Sequence, residues 1–305
     1  LTTSLGAMSV TGKALAATLV LCGLGAAACG GTATGADLAR ERGPVPPATA
    51  DTAAAPAADS LSGPATGAAS DPTASPAAGR SVQSDRPLSG KVVVIDPGHN
   101  GQNYRHPAEI NKKVNVLTQW KACDTTGTAT ANGYSEAAFT WDVSQRLAKI
   151  LKSRGATVKL TRADNSGVGP CITERAAIGN DAKADAAISV HADGSSTADH
   201  GFHVIMPEKI GGPVDPVVGA SKKLGLDVRN AFARGTGLSY STYIGKNALD
   251  YRNDLGGLNL STVPKIFIES GNMKNPTEAA KFQQSAFRQK IALSLANGLQ
   301  QYLKR

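Results

Sequence analysis

Lys91-Val-Val-Val-Ile-Asp96 is a β-branched apolar run that halts at Pro97-Gly98. Such a run, bounded by turn residues, reads as a buried strand ending in a tight turn. His99 comes next, off the carboxyl end of the strand, where open α/β sheets bind their ligands. Alone, a histidine on a turn is more often solvated than functional. Two further apolar strands sharpen the pattern. Ala186-Ala-Ile-Ser-Val190 runs into His191-Ala-Asp193, and Lys265-Ile-Phe-Ile268 runs into Glu269-Ser-Gly-Asn.

Between these strands the spacing turns helical. Ser135 opens a helix whose apolar positions Phe139, Val143, Leu147, Ile150 and Leu151 share a face, and Arg154-Gly155 closes it. Glu136 lies in the first turn, where the helix dipole favours an acid whatever its function. Thr157 to Arg162 alternates as a strand, Thr173 to Asn180 reads as a short helix, and Phe202 to Met206 as another strand. Val217, Ser221, Leu224, Val228 and Phe232 line a helix that stops at Gly235. Asn275-Pro-Thr-Glu278 supplies a cap, a first-turn proline and a capping-box glutamate before a C-terminal helix carrying Phe287, Ile291, Leu295, Leu299 and Tyr302. Residues 102–134 and 236–264 show no period and read as long loops, of a length that is usually functional or disordered. Strands alternating with helices predict an α/β domain, with a mixed, mostly parallel sheet and helices on both faces.

The chain ahead of this domain is of another kind. Lys13 precedes an apolar stretch from Ala14 to Ala28, too short to span a bilayer stably, which reads as an export signal over residues 1–29. Ala26-Ala-Ala-Cys29 resembles a bacterial lipobox, so Cys29 is a candidate for lipidation, with ordinary cleavage near Ala28 as the alternative. Residues 30–88 are Ala, Thr, Pro, Gly and Ser with few large apolar side chains, and cannot bury enough surface to offset chain entropy. They read as a disordered spacer, leaving 89–305 as one folded domain large enough for a real core.

Acidic residues outnumber basic ones in the spacer, so the net charge of +8 sits on the folded part. A basic exported domain suits an anionic cell envelope, although a high isoelectric point also serves solubility alone. Nucleic acid is not the expected partner, because no basic stripe interleaves with aromatics. Of the four cysteines, Cys22 leaves with the signal and Cys29 is the lipid candidate, so Cys123 and Cys171 are left as a pair. In an oxidising compartment that pair suggests a disulfide.

His99, His191 and Glu269 each follow an apolar strand, and Glu136 starts the helix after the first of them. Right-handed connections bring all four to one rim. Two histidines and two carboxylates suit a zinc hydrolase of the His2Glu type, with three ligands, an open position and a further carboxylate to carry a proton. His106 on a loop, His200 on a turn and His203 within a strand fall outside this set. No phosphate loop, Gly-x-Ser-x-Gly elbow or His-Glu-x-x-His helix is present.

Val-Ile-Asp96-Pro-Gly-His99-Asn-Gly, the Ser135-Glu136 helix start, Ile-Ser-Val-His191-Ala-Asp193 and Ile-Glu269-Ser-Gly-Asn-Met resemble the zinc N-acetylmuramoyl-L-alanine amidases of the amidase-3 type. Asp254-Leu-Gly-Gly-Leu followed by Val-Pro-Lys is similar too. The resemblance covers residues 90–305. It implies a six-stranded sheet, one zinc per chain held by His99, Glu136 and His191, and Glu269 as the catalytic glutamate. The implied reaction is cleavage of the amide between N-acetylmuramic acid and L-alanine of the stem peptide. Peptidoglycan or muropeptides are then the partners of a monomer in the extracytoplasmic envelope or wall, touching the membrane only through an N-terminal lipid. Two departures bear on substrate preference. Asp193 replaces the usual asparagine of His-x-Asn, and His203 stands where many relatives carry a glutamate. A stem-peptide endopeptidase or carboxypeptidase with the same zinc site, and a non-catalytic envelope-binding lipoprotein, are the rival readings.

Overall fold

The computed structural model describes residues 86–305; the expected export signal, Cys29 and nearly all of the expected spacer lie outside the described residues. The strands are β1 (Val92–Pro97), β2 (Lys113–Asn115), β3 (Trp120–Ala122), β4 (Thr157–Leu160), β5 (Ala186–Asp193), β6 (His203–Pro207), β7 (Leu249–Arg252) and β8 (Lys265–Asn272). The helices are α1 (Pro107–Ile110), α2 (Glu136–Ser153), α3 (Ile172–Asp181), α4 (Val218–Thr236), α5 (Gly256–Asn259), α6 (Pro276–Gln283) and α7 (Ser285–Leu303). β2 and β3 form a separate antiparallel hairpin, and the other six strands form one sheet in the order β4-β1-β5-β8-β6-β7. Neighbours in that sheet are parallel except β6 and β8. The expected mixed, mostly parallel six-stranded sheet is therefore present.

Side chains alternate between the faces of a strand. Val93 and Ile95 of β1, Ile188 and Val190 of β5, Ile266 and Ile268 of β8, and Val204 and Met206 of β6 thus share one face, all buried. α2, α4 and α7 cover it with Phe139, Leu147, Phe232 and Leu295. Each such side chain contributes about 1.5–3 kcal/mol by leaving water. α4 and α7 touch backbone to backbone: a Cβ on Gly298 would lie 2.6 Å from Val228 Cα, and one on Gly235 would overlap Ser294. Gly235 therefore belongs inside α4, where its missing side chain admits α7. The helix stops at Gly237, in the left-handed region at φ 70°.

The opposite face is apolar only in part. Val94 and Ala187 pack with Ala184 and Val263, and with Ile178 of α3. The same alternation then places Asp96, Ser189, His191, Glu269 and His203 on this second face. Helices on both faces are thus present, but the second layer is thin and leaves a crevice over the strand ends.

The sequence reading misplaced several boundaries. β5 and β8 continue to Asp193 and Asn272, so His191 and Glu269 sit inside strands rather than past their ends. The segment 236–264 holds β7, a four-residue edge strand paired to β6, and the one-turn α5. Such short elements present no period to detect. Residues 102–134 contain α1 and the hairpin for the same reason. Leu88 is fully buried and its N–H bonds the Arg154 carbonyl, so the folded part begins slightly before the composition changes.

Candidate active site

The turn after β1 is shaped to deliver His99. A Cβ on Gly98 would overlap the His191 ring, so only glycine fits between the two strands. His99 itself adopts φ 58°, a left-handed conformation uncommon for a non-glycine residue. Its imidazole is held from both sides. Nδ1 donates to the Thr125 carbonyl at 3.0 Å and lies 3.5 Å from Asp124, while Nε2 lies 3.1 Å from Glu136 Oε2.

Ser135 caps α2 by accepting from the Ala138 N–H, which sets the helix start and puts Glu136 in its first turn. Both Glu136 oxygens have fixed partners. Oε1 accepts from Ala192 N–H and lies 2.9 Å from His191 Nδ1; Oε2 accepts from Thr128 N–H at 2.9 Å. His191, from β5, stacks on Phe267 with centroids 5.3 Å apart and meets His99 edge-on at 5.0 Å. His99, Glu136 and His191 each offer one donor atom, all within 4.8 Å of one another. Two nitrogens and one carboxylate oxygen suit a borderline divalent ion such as zinc. The Thr125 carbonyl and Asp124 form the outer partners that orient a ligating histidine.

Glu269 is outside this trio but level with it. In the sheet register His191 pairs with Glu269, which pairs in turn with His203 on β6. One rung thus carries His191, Glu269 and His203 across three strands. Burial, the Glu136 carboxylate and Asp193 hold the Glu269 carboxyl well above its usual range. Burial alone would lower His99, yet Glu136 and Asp124 outweigh it and raise the imidazole to about 10. Burial likewise opposes ionisation of Glu136, but His99 and His191 hold it well below the usual carboxylate range. A bound cation would reverse this balance, because it takes the place of the proton these groups share.

Beside the two histidines opens a cavity of about 220 Å³, lined mainly by apolar atoms and including Phe267, Lys121, Arg175 and Gly257. It runs over β1, β5 and β8 at the level of Asp96, Ser189 and Phe267, one step before the rung, and Glu269 does not line it. Cys123 and Cys171 are bonded, and Ile172 N–H donates to the Cys123 carbonyl beside the bridge. The bond ties the start of α3 to the segment carrying Asp124 and Thr125. His106 pairs with Glu109, His200 is on an exposed turn, and His203 is buried.

Arg175 and Asp124 escaped the sequence reading. The buried Arg175 guanidinium donates to Asp96 at 2.9 Å, the Pro97 carbonyl at 2.7 Å, the His99 carbonyl at 2.9 Å and Asp124 at 3.2 Å. It therefore fixes the histidine turn and the carboxylate behind the histidine together. Nothing in the local pattern of α3 marks an inward arginine. Asp96 also meets Ser189, Thr161 and Lys265, and these partners hold its carboxyl well below the usual range against burial.

The family model described as N-acetylmuramoyl-L-alanine amidase, amidase-3 type, matches residues 93–301. An N-acetylmuramoyl-L-alanine amidase of Mycobacterium tuberculosis is 37% identical over 218 residues, covering 71% of this chain and 88% of its own length. The crystal structure of an N-acetylmuramyl-L-alanine amidase from Mycobacterium smegmatis superposes with a TM-score of 0.67 at 36% identity, over 71% of this chain and 98% of that one. The apo form of such an amidase from Mycobacterium abscessus gives 0.67 at 39% identity, over 71% and 100%.

Proposed function

The chain belongs to the amidase-3 family of N-acetylmuramoyl-L-alanine amidases, and from its crevice we propose how it hydrolyses peptidoglycan. It is an enzyme of the cell wall, cleaving the amide that joins N-acetylmuramic acid to L-alanine of the stem peptide. The observation that carries the residue roles is the convergence of His99, Glu136 and His191 within 4.8 Å, with Glu269 one strand away on the same rung.

In this reading one zinc ion per chain is held by His99, Glu136 and His191. Bound there, it supplies Lewis acidity toward the scissile carbonyl and makes water a usable nucleophile at neutral pH. The protein does the rest. Asp124 and Thr125 aim His99, the Ala192 and Thr128 amides aim Glu136, and Phe267 fixes the plane of His191. Glu269 accepts the proton of the attacking water and returns it to the leaving alanine nitrogen. Burial and the Glu136 and Asp193 carboxylates raise the Glu269 carboxyl in the metal-free site, and a cation bound by Glu136 would offset that rise and leave the carboxylate free to act as base.

The enzyme acts outside the cytoplasmic membrane as a monomer, delivered by the signal at residues 1–29 and tethered through Cys29 if that residue is lipidated. Among the described residues, no helix is long and apolar enough to cross a membrane. Digestion of purified peptidoglycan, with and without chelator, tests the assignment by mass spectrometry of the products. Free stem peptides with an L-alanine amino terminus, lost with chelator and restored by zinc, are expected. Fragments cut within the stem would instead make the protein a peptidase.

A further inference from the structure

The rung that carries Glu269 ends in a group the reaction above does not use. His203 is 1% exposed, and its Nδ1 has no hydrogen-bond partner among the described residues. Two neighbours share that condition. Glu269 Oε2 is buried and unpartnered as well, and the Tyr243 hydroxyl is buried against the Asp193 carboxylate without a hydrogen bond of good geometry. Tyr243 closes edge-on over His203, with ring centroids 6.1 Å apart at 90°. Buried polar atoms are nearly always partnered, so three at one place mark a spot shaped for something other than packing.

Their chemistry says what fits. Burial lowers the His203 imidazole to about 4, against the pull of Asp193, so the ring is neutral at working pH. Burial and Asp193 raise the Tyr243 hydroxyl, which therefore stays a donor. Two neutral donors match the two lone pairs of one carbonyl oxygen. Glu269 Oε2 beside them accepts an N–H. A secondary amide offers both groups at once, and no net charge is needed to satisfy the set.

We propose that His203 and Tyr243 bind a secondary amide of the substrate next to Glu269, at the β6 end of the rung. The scissile bond joins two bulky groups, and β6 lies next to Glu269 on the side opposite His191, which gives the second group a place apart from the cavity. Tyr243 is carried on the irregular segment between α4 and β7, outside the sheet that fixes His203 and Glu269. The N-acetyl group of muramic acid and the peptide bond after L-alanine carry the same chemistry. The inference rests on the amidase reading given above.

Tyr243→Phe removes only the hydroxyl, and His203→Leu and His203→Gln separate loss of hydrogen bonding from change of size. Each variant is assayed for muropeptide turnover, thermal unfolding and metal content. Affinities of wild type and Tyr243→Phe are measured for the free stem peptide and for N-acetylmuramic acid. We expect KM to rise about three- to tenfold in Tyr243→Phe with a smaller change in kcat. Metal content should be unchanged, and unfolding temperature unchanged or higher, because an unpartnered hydroxyl has gone. His203→Gln should retain more activity than His203→Leu. Weaker binding of the stem peptide assigns the amide to the peptide, and weaker binding of N-acetylmuramic acid assigns it to the sugar. Wild-type KM and unchanged affinity for both ligands would overturn the proposal, as would activity lost only in step with stability. If wild type releases no stem peptide, the amidase reading itself fails, which is a separate outcome.

Discussion

His99 shows how the charges around one side chain set the behaviour of the site. Its imidazole is raised to about 10 by Glu136 and Asp124, whereas an unperturbed one titrates at 6.5. A folded pKa above the unfolded one stabilises the metal-free protein fully below the unfolded value, and that contribution is lost as pH climbs through the folded value. With chelator present, this group should therefore make the unfolding temperature fall from about pH 6.5 toward 10. Metal must displace the same proton, so apparent affinity should rise roughly tenfold per pH unit between about 7 and 9. Competition titration against a chromogenic chelator reads that slope, and a flat profile would mean that His99 binds without losing a proton. Glu269→Gln tests the other half of the chemistry. It keeps the shape but cannot take the proton, so turnover should fall ~10²–10⁴-fold with metal and fold intact. His99, Glu136, His191 and Glu269 were legible because each stands at the end or start of a patterned run in the sequence. Arg175 and Asp124 were not, because an inward-facing charge on a short helix or loop leaves no local signature.

At the scale of elements, the disulfide acts on the site through the residues beside its two cysteines. Asp124 is the next residue after Cys123, and Cys171 caps α3, which carries Arg175. Arg175 and Asp124 meet behind His99. The bridge therefore reaches the candidate metal site through two short steps. Closing a loop of 48 residues is worth roughly 4 kcal/mol by chain entropy, an upper figure. A Cys123→Ser, Cys171→Ser variant should become sensitive to protease within residues 102–134. Its metal affinity should drop as well, since the Thr125 carbonyl and Asp124 lose their anchor. Mapped proteolysis and metal titration check the two effects, and unchanged affinity would show that Arg175 alone holds the segment. The hairpin β2–β3 depends on the same support, as an isolated pair of strands is marginal in water.

Across the whole molecule, the net charge of +8 acts at longer range than any contact. An anionic wall polymer should capture the protein faster at low salt, and screening shortens that reach to about 8 Å at physiological ionic strength. Sedimentation with purified wall should therefore show less bound protein at high salt, while turnover of small soluble muropeptides changes little. An equal loss on both substrates would place the salt effect in the crevice instead.

Apolar periodicity, a capped helix and three strands ending near ionisable residues determined the α/β architecture and named His99, Glu136, His191 and Glu269. These follow from local rules, since a buried strand or an amphipathic helix must declare itself in its own residues. Which neighbours meet across the sheet was decided only by register and packing. The rung of His191, Glu269 and His203 exists because β8 lies between β5 and β6, with β6 antiparallel to it. No pattern within a single segment encodes that adjacency. The buried ties from Arg175 to Asp96, Asp124 and the His99 turn arise in the same way, from elements up to 79 residues apart in the chain closing on one another.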